Sequence, residues 1–210
     1  HVVFSDQKPF RRLNLKEEVT SKRAISREKI AQIECVDLTA CHADMQLARD
    51  LFLFSFYTRG MSFVDMAFLK KQDLQNGILA YRRNKTGQQL FIKREKTMQE
   101  LIDKYDTFDT PYLLPVIRNN GVDEWHQYQN AAHRINRNLK QIGKQIGLDI
   151  PLTTYVARHA WASIAQSKNV PLSVISKALG HNSEQTTRIY LSSLDTSVVD
   201  KANNLILMSI

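Results

Sequence analysis

The residue types best suited to chemistry in this chain are a tyrosine, an arginine, two histidines and a lysine. Tyr190 follows His181 by nine residues, and Arg158 is followed directly by His159. Lys85 lies in a polar segment further upstream. A tyrosine hydroxyl is a weak nucleophile at its ordinary pKa of about 10, so it needs a neighbour that takes its proton or favours the phenolate. Guanidinium groups match phosphate oxygens with paired hydrogen bonds, and a lysine can protonate a departing oxygen. Together these residue types can supply a nucleophile, cationic ligands for an anion and a proton donor.

The charge of the chain is compatible with a phosphate-bearing partner. The 210 residues include 29 Lys and Arg against 21 Asp and Glu, which gives a formal net charge of +8. Segment 70–96 holds eight basic and two acidic side chains, segment 1–30 holds eight and four, and segment 31–69 holds two and five. A localised positive field is typical of proteins that bind polyanions, most often nucleic acid. A basic surface that only keeps the protein soluble explains the charge equally well.

The spacing of apolar and turn-forming residues predicts a mostly α-helical domain with one small antiparallel β-hairpin, an α+β fold. Segments 78–83 and 88–93 flank a polar connection that ends in glycine, which predicts a hairpin with Lys85 in its turn. A first helix is expected to begin after Ser26 as its N-cap. Further helices are expected where apolar residues recur at helical spacing, over 45–57, 62–69, 97–105, 123–146 and 154–167.

The segment around Tyr190 is expected to form two short helices joined by a tight turn. Pro171 suits the first residue of a helix, and Gly180 suits its end, because glycine readily adopts the left-handed conformation that closes helices. Ser183 can cap the next helix, which carries Tyr190. A last amphipathic helix is expected over 198–208.

Cysteine usage and hydropathy argue against several classes of protein. Cys35 and Cys41 give no disulfide framework, and we interpret them as ordinary buried thiols of a protein from a reducing compartment. Adding His42 to this pair produces a spacing that fits no common zinc pattern, so we expect no metal site. No apolar run approaches the roughly 20 residues that a membrane span needs, and we expect neither a membrane span nor a signal peptide.

Segments 154–161 and 179–190, together with Lys85 in the hairpin, resemble the tyrosine recombinase (phage integrase) family. The family signature includes a leucine-glycine-histidine stretch that leads to the tyrosine, an arginine-histidine pair on a preceding helix, and a lysine in a β-turn. The resemblance covers about residues 20–200, and the order and separation of its motifs make it specific. Segment 59–65 resembles the branch of the family that conjugative transposons carry.

The resemblance implies a role for each of these residues. Tyr190 matches the nucleophile, which forms a covalent 3′-phosphotyrosine with DNA. Arg158 matches the second of two phosphate-binding arginines, and His181 matches the histidine beside the scissile phosphate. Lys85 matches the general acid for the departing 5′ oxygen, and His159 is expected to give structural support. Because the phosphotyrosine conserves the energy of the broken bond, the resemblance implies no cofactor, neither ATP nor Mg²⁺.

Two positions depart from the family pattern. The family usually places a histidine three residues before the second arginine, where this chain has Tyr155, whose hydroxyl can still donate to a phosphate oxygen. When Asp65 is aligned with the family's acidic position, Ser62 stands where the first arginine is expected, and it becomes a candidate phosphate ligand. Arg59 lies three residues earlier, about one helical turn away. It is either a substitute for the missing arginine or a residue with a structural or DNA-backbone role.

The resemblance also implies how the protein is organised and what it binds. Double-stranded DNA carrying recombination sites is the expected partner, with Arg82 and Arg83 of the basic segment as candidate ligands of its backbone. We expect a monomer that assembles into a homotetramer on DNA, in the bacterial cytoplasm at the nucleoid, to integrate or excise a mobile element. Residues 1–20 are expected to be a linker or the tail of a core-binding domain, and residues 21–210 to form the catalytic domain. Segment 198–208 could dock on a neighbouring subunit or pack on its own domain.

Two other functions remain open on the sequence alone. A type IB topoisomerase-like relaxase would use similar chemistry as a monomer. A non-catalytic DNA-binding module with a decayed active site is suggested by Ser62 and Tyr155, although the presence of the other motif residues argues against it.

Overall fold

The computed structural model of the protein describes residues 24–105 and 107–192. Within this part of the chain it contains eight α-helices and one three-stranded antiparallel sheet, which confirms the predicted fold class. The helices are α1 (Arg27–Cys35), α2 (Ala43–Tyr57), α3 (Phe63–Ala67), α4 (Lys96–Asp103), α5 (Glu124–Gln145), α6 (Thr154–Ser167), α7 (Leu172–Leu179) and α8 (Glu184–Ser192). The strands are β1 (Leu74–Gln75), β2 (Ile78–Arg82) and β3 (Gln89–Lys93), in the order β1-β2-β3.

Helix α2 is the central element of the core. Nine of its 15 residues are buried, and it packs against α4, α5 and α6. Phe52 and Phe54 are fully enclosed, and burial of an apolar side chain of this size contributes roughly 1.5–3 kcal/mol. The almost entirely apolar segment predicted to be a buried helix is therefore the scaffold on which α6 is positioned.

The ends of the helices follow the predicted capping residues closely. Ser26 accepts a hydrogen bond from the Lys29 backbone N–H and begins α1. Gly180 ends α7 with φ +62°, and the Ser183 hydroxyl accepts from the Thr186 N–H at 3.2 Å in the first turn of α8. Pro171 is the N-cap of α7 rather than its first residue.

The β2–β3 hairpin has the predicted position, with Arg82 paired to Gln89 in the last register pair. Beyond that pair, the Arg83 N–H donates to the Gln88 carbonyl and the Gly87 N–H donates to the Arg83 carbonyl, each at 2.8 Å. These bonds close a turn that presents Lys85 to solvent. Strand β1 was not predicted, because two residues are too few to show a strand periodicity.

The prediction that both cysteines are buried was wrong. Cys35 is exposed at the last position of α1 and Cys41 is partly exposed, so these thiols are not buried. The predictions for segments 1–20 and 198–208 fall outside the described residues.

Among the residues described, no helix is long and apolar enough to cross a membrane, and no group of three or more His, Cys, Asp or Glu side chains could hold a metal ion.

Candidate active site

The turn between α7 and α8 is the point at which the predicted site residues meet. The last carbonyls of a helix lack partners within the helix and carry the negative end of its dipole, so they attract donors and cations. Here the Leu179 carbonyl accepts from Arg158 Nη2 at 2.6 Å. The Gly180 carbonyl accepts from Arg83 Nη1 at 2.6 Å and from the Thr86 hydroxyl at 3.1 Å. Helix α6 and the hairpin are thereby fastened to the same helix end.

Arg158 lies on α6 and is buried, with 4% of its surface exposed. Besides Leu179, its guanidinium donates to the Gly60 carbonyl, through Nη1 at 2.9 Å. Gly60 has φ +77°, and a Cβ at this position would lie 2.7 Å from the Arg158 Cα, so only glycine permits this approach. Burial and the nearby charge of Arg83 lower the pKa of Arg158. It nevertheless remains a cation, because the ordinary pKa of arginine is so high.

His181 follows the glycine of the turn and bonds through both ring nitrogens. Its Nε2 lies 3.1 Å from Arg158 Nη2, and its Nδ1 lies 2.7 Å from the hydroxyl of Thr187, which is fully buried. Because a guanidinium only donates, Nε2 must accept, and the ring proton is assigned to Nδ1. Burial, followed by the charges of Arg158, Arg83 and Lys85, lowers the pKa of His181 to about 4. The imidazole is therefore neutral near pH 7.

Tyr190, on α8, is held in a small cluster of rings. It stacks on His159 with ring centroids 4.8 Å apart, and it meets His181 edge to face at 5.7 Å. His159 is in turn covered by the edge of Tyr155 at 4.4 Å, which is consistent with the structural support predicted for this histidine. Burial, followed by the electrostatic influence of the neighbouring Tyr155, raises the pKa of Tyr190, so this hydroxyl is protonated.

Lys85 is exposed in the hairpin turn, within electrostatic reach of His181. Contacts on both sides fix the hairpin that carries it. The Gln88 amide donates to the His181 carbonyl at 3.1 Å, and the Asn84 N–H donates to the buried Asp65 carboxylate at 2.9 Å. The lysine is therefore tethered beside the site while its own side chain extends into solvent.

Arg82 and Arg83, both predicted as candidate ligands of a DNA backbone, do not share an environment. Arg82 is exposed and donates to the Gly87 carbonyl at 2.7 Å, whereas Arg83 is 7% exposed and points into the site. Successive side chains of a strand point to opposite faces. Because Leu79 and Tyr81 are buried, Arg83 belongs to the inward set, and this alternation was the signal that the prediction did not use.

Ser62 and Arg59 lie near the predicted position of a first arginine but face other partners. Ser62 is the N-cap of α3, and its hydroxyl donates to the Asp65 carboxylate at 2.6 Å. Arg59 precedes this cap with φ +63°, so the assumption of a shared helical face was wrong. Its Nη1 donates to the Phe91 carbonyl on β3 at 3.3 Å, while Arg158 and His181 bond to each other. The structure thus brings together Arg158, His181, Tyr190 and Tyr155, places Lys85 nearby, and adds Arg83.

Comparison with known proteins gives a family match over most of the chain. The model described as the phage integrase family matches residues 38–197. A curated protein named tyrosine recombinase XerD, from Listeria innocua, is 27% identical over 179 residues, which cover 81% of this chain and 60% of that protein. The chain spans less than two thirds of the length of the first curated relatives that it matches.

Solved structures with the same fold include two complexes with DNA. XerH site-specific recombinase in a post-cleavage complex with a palindromic difH substrate has a TM-score of 0.62 at 18% identity, covering 89% of this chain and 53% of that one. A lambda integrase tetramer bound to a Holliday junction has a TM-score of 0.59 at 19% identity, covering 83% and 49%. At these identities the structural likeness establishes the fold.

Proposed function

The chain belongs to the phage integrase family, and from that premise we propose that it is the catalytic part of a site-specific DNA recombinase. In this proposal it cleaves and rejoins DNA strands through a covalent 3′-phosphotyrosine at Tyr190. The observation that carries the proposal is the contact of Tyr190 with His181, beside the buried cation of Arg158. These are the groups that attack on a phosphodiester requires, and they meet although Arg158 and Tyr190 lie on different helices.

Binding of a phosphate explains the chemistry that each group then performs. Arg158 holds a non-bridging oxygen and stabilises the charge that builds up on it. When a phosphate oxygen takes over the N–H that now bonds to His181, the Nε2 of this neutral imidazole becomes free to accept the phenolic proton of Tyr190. Tyr190 then attacks phosphorus, and Lys85 protonates the departing 5′ oxygen from its exposed turn. Tyr155 takes the position that the family usually gives to histidine, and its hydroxyl donates a hydrogen bond to a phosphate oxygen.

The partner and assembly follow from the same proposal. The two DNA-bound neighbours and the exposed basic side chains of segment 70–96 support double-stranded DNA as the substrate. We propose four copies on two duplexes, as in the lambda integrase tetramer on a Holliday junction, with a monomer in the absence of DNA. The resemblance of segment 59–65 to conjugative-transposon integrases supports integration or excision of a mobile element as the biological outcome.

Replacing the nucleophile tests the proposal. Tyr190→Phe removes one hydroxyl and should keep the fold and most of the DNA affinity. It should nevertheless abolish the covalent adduct, because attack needs the phenolic oxygen. The measurement is a denaturing gel after incubation with nicked DNA that carries the element's ends. Tyr155→Phe is the comparison, because it removes the neighbouring phosphate donor and should slow adduct formation without abolishing it.

Two results would contradict the proposal. An adduct of undiminished yield in Tyr190→Phe would show that another group attacks. Relaxation of supercoiled plasmid by the wild-type protein, without strand exchange between two duplexes, would assign the adduct to a topoisomerase-like activity instead.

A further inference from the structure

The site as assembled from the expected residues contains a single guanidinium, that of Arg158. Ser62, at the position where the family has its other arginine, uses its hydroxyl to cap α3 and to bond Asp65. Two non-bridging oxygens of a phosphodiester are thus left with one cationic partner during attack.

We propose that Arg83 replaces the missing first phosphate-binding arginine, and that it enters the site from the β2–β3 hairpin instead of from the position of Ser62. This assignment rests on the proposed function, because it concerns the same phosphate. It makes Arg83 a catalytic residue and leaves Arg59 outside the site.

The positions of the two guanidiniums carry the assignment. Arg83 Nη1 lies 2.6 Å from the Gly180 carbonyl, and Arg158 Nη2 lies 2.6 Å from the carbonyl of the preceding residue, Leu179. The two cations therefore converge on consecutive carbonyls of one helix end, immediately before His181. A phosphate bound at this helix end would therefore lie beside both guanidiniums, which are buried to a similar depth, 7% and 4% exposed.

The charge balance of this region points to an anionic ligand. Among the residues that the structure describes, neither Arg83 nor Arg158 forms a salt bridge. The carboxylate of Asp65 is held by Ser62 and by the Asn84 N–H. Two buried like charges whose hydrogen-bond partners are all neutral are costly, and an anion bound between them would relieve that cost. Arg83 already acts on the site electrically, since its charge helps to lower the pKa of His181.

Arg83 also has the donors that this role requires. A guanidinium carries five N–H groups in a fixed plane. The Gly180 carbonyl is the single acceptor recorded for the Arg83 side chain in the described part of the protein. The remaining N–H groups are available for a phosphate. The Arg59 guanidinium, by contrast, bonds to the Phe91 carbonyl of edge strand β3, in a groove that it lines with Val174 and Lys177.

The test compares two substrates that differ in charge at the scissile position. One nicked DNA carries the normal phosphodiester, and the other carries a methylphosphonate, in which a methyl group replaces one charged oxygen. Arg83→Gln keeps an N–H donor for the Gly180 carbonyl but removes the charge. We expect adduct formation on the phosphodiester to fall by at least about 10²-fold, as for the loss of one transition-state donor. On the methylphosphonate we expect a much smaller loss, because less negative charge then needs compensation. Arg59→Gln is the matched control, because this residue bonds to the Phe91 carbonyl outside the site, and it should behave as wild type on both substrates.

Three other results would contradict or reassign the role of Arg83. Wild-type rates for Arg83→Gln on the phosphodiester, or equal losses on both substrates, would overturn the assignment. A charge-selective loss in Arg59→Gln would transfer the role to that residue. If Arg83→Gln does not fold, Arg83→Met decides, because it removes the charge and keeps most of the apolar length of the side chain. The ratio of phosphodiester to methylphosphonate rates should then fall by at least about 10-fold, and an unchanged ratio would overturn the assignment. A wild-type protein that forms no adduct on either substrate would instead contradict the proposed function.

Discussion

At the scale of the residue, His181 shows how the site sets the protonation of its groups. Its Nε2 accepts from Arg158 and its Nδ1 faces Thr187, while three cations lie within electrostatic reach. A second proton on this ring would be repelled by those charges and would displace the Arg158 hydrogen bond. The hydrogen bond between Arg158 and His181 therefore requires a neutral ring, and acid should break this bond and destabilise the folded protein.

The free energy of unfolding should therefore depend on pH between about 4 and 6.5. His181 has a folded pKa lowered to about 4, whereas the unfolded value is about 6.5. Over this interval the unfolded chain binds more protons than the folded one, so the free energy of unfolding falls as the pH falls. His181→Asn should lose less Tm between pH 7 and pH 5 than wild type does. His126→Asn, at an exposed histidine of α5, should retain the wild-type loss. Identical pH profiles for His181→Asn and wild type would show that His181 does not titrate as described.

At the scale of the element, the site depends on close contact between the α2–α3 connection and α6. Gly60 has φ +77°, and its carbonyl accepts from Arg158 Nη1 at 2.9 Å. A side chain at this position would meet the Arg158 Cα, Cβ and Cγ at 2.7 to 2.8 Å. The glycine therefore determines how deeply the arginine is seated and in which direction its guanidinium points.

Gly60→Ala should disturb Arg158 beyond the cost of its backbone conformation. Gly77→Ala is the matched control, because Gly77 has φ +74° and open space around its Cα. A left-handed non-glycine residue costs of order 1–2 kcal/mol, and overpacking adds typically 1–3 kcal/mol. We therefore expect the larger drop in Tm for Gly60→Ala, together with at least a ~10-fold loss of adduct formation per folded molecule. Equal effects of the two substitutions on Tm and on cleavage would show that the close approach is unimportant.

At the scale of the whole molecule, the excess of positive charge is concentrated where the hairpin lies. The net charge is +8, and segment 70–96 contributes eight basic side chains against two acidic ones. The basic residues of this segment differ in exposure. Arg83 is buried in the site, whereas Arg82, Lys85 and Lys93 are exposed to solvent. Only the exposed members can bind DNA phosphates outside the site.

The salt dependence of DNA binding should distinguish these members. Each phosphate contact contributes about −0.9 to the slope of log affinity against log salt concentration. Arg82→Ala should therefore flatten the slope by about one unit. Lys140→Ala, which removes one charge from the exposed side of α5, is the control and should leave the slope unchanged. A slope that neither substitution changes would mean that Arg82 is merely solvated, and equal changes would indicate an effect of net charge alone.

Local patterns in the sequence determined the elements and the residues that begin and end them. The apolar run of α2, the hairpin with Lys85 in its turn, the glycine that ends α7 and the serine that begins α8 follow from interactions within a few residues. The spacing of His181 and Tyr190 belongs to the same class, because a turn of fixed length sets it. These features depend on backbone preference and side-chain period, which the sequence contains directly.

Tertiary structure alone decided which arginines reach the site. The hairpin bonds the α7–α8 turn through Arg83, Thr86 and Gln88, which lie 93 to 97 residues away from their partners in the chain. No local pattern fixes a contact over such a separation, because it depends on how the intervening helices pack. The strand period turns Arg83 inward, but only the packing of the α7–α8 turn against that face gave it the Gly180 carbonyl. Arg59, close in sequence to the missing arginine, bonds instead to the Phe91 carbonyl of β3, 32 residues further along the chain, and this contact too depends on packing.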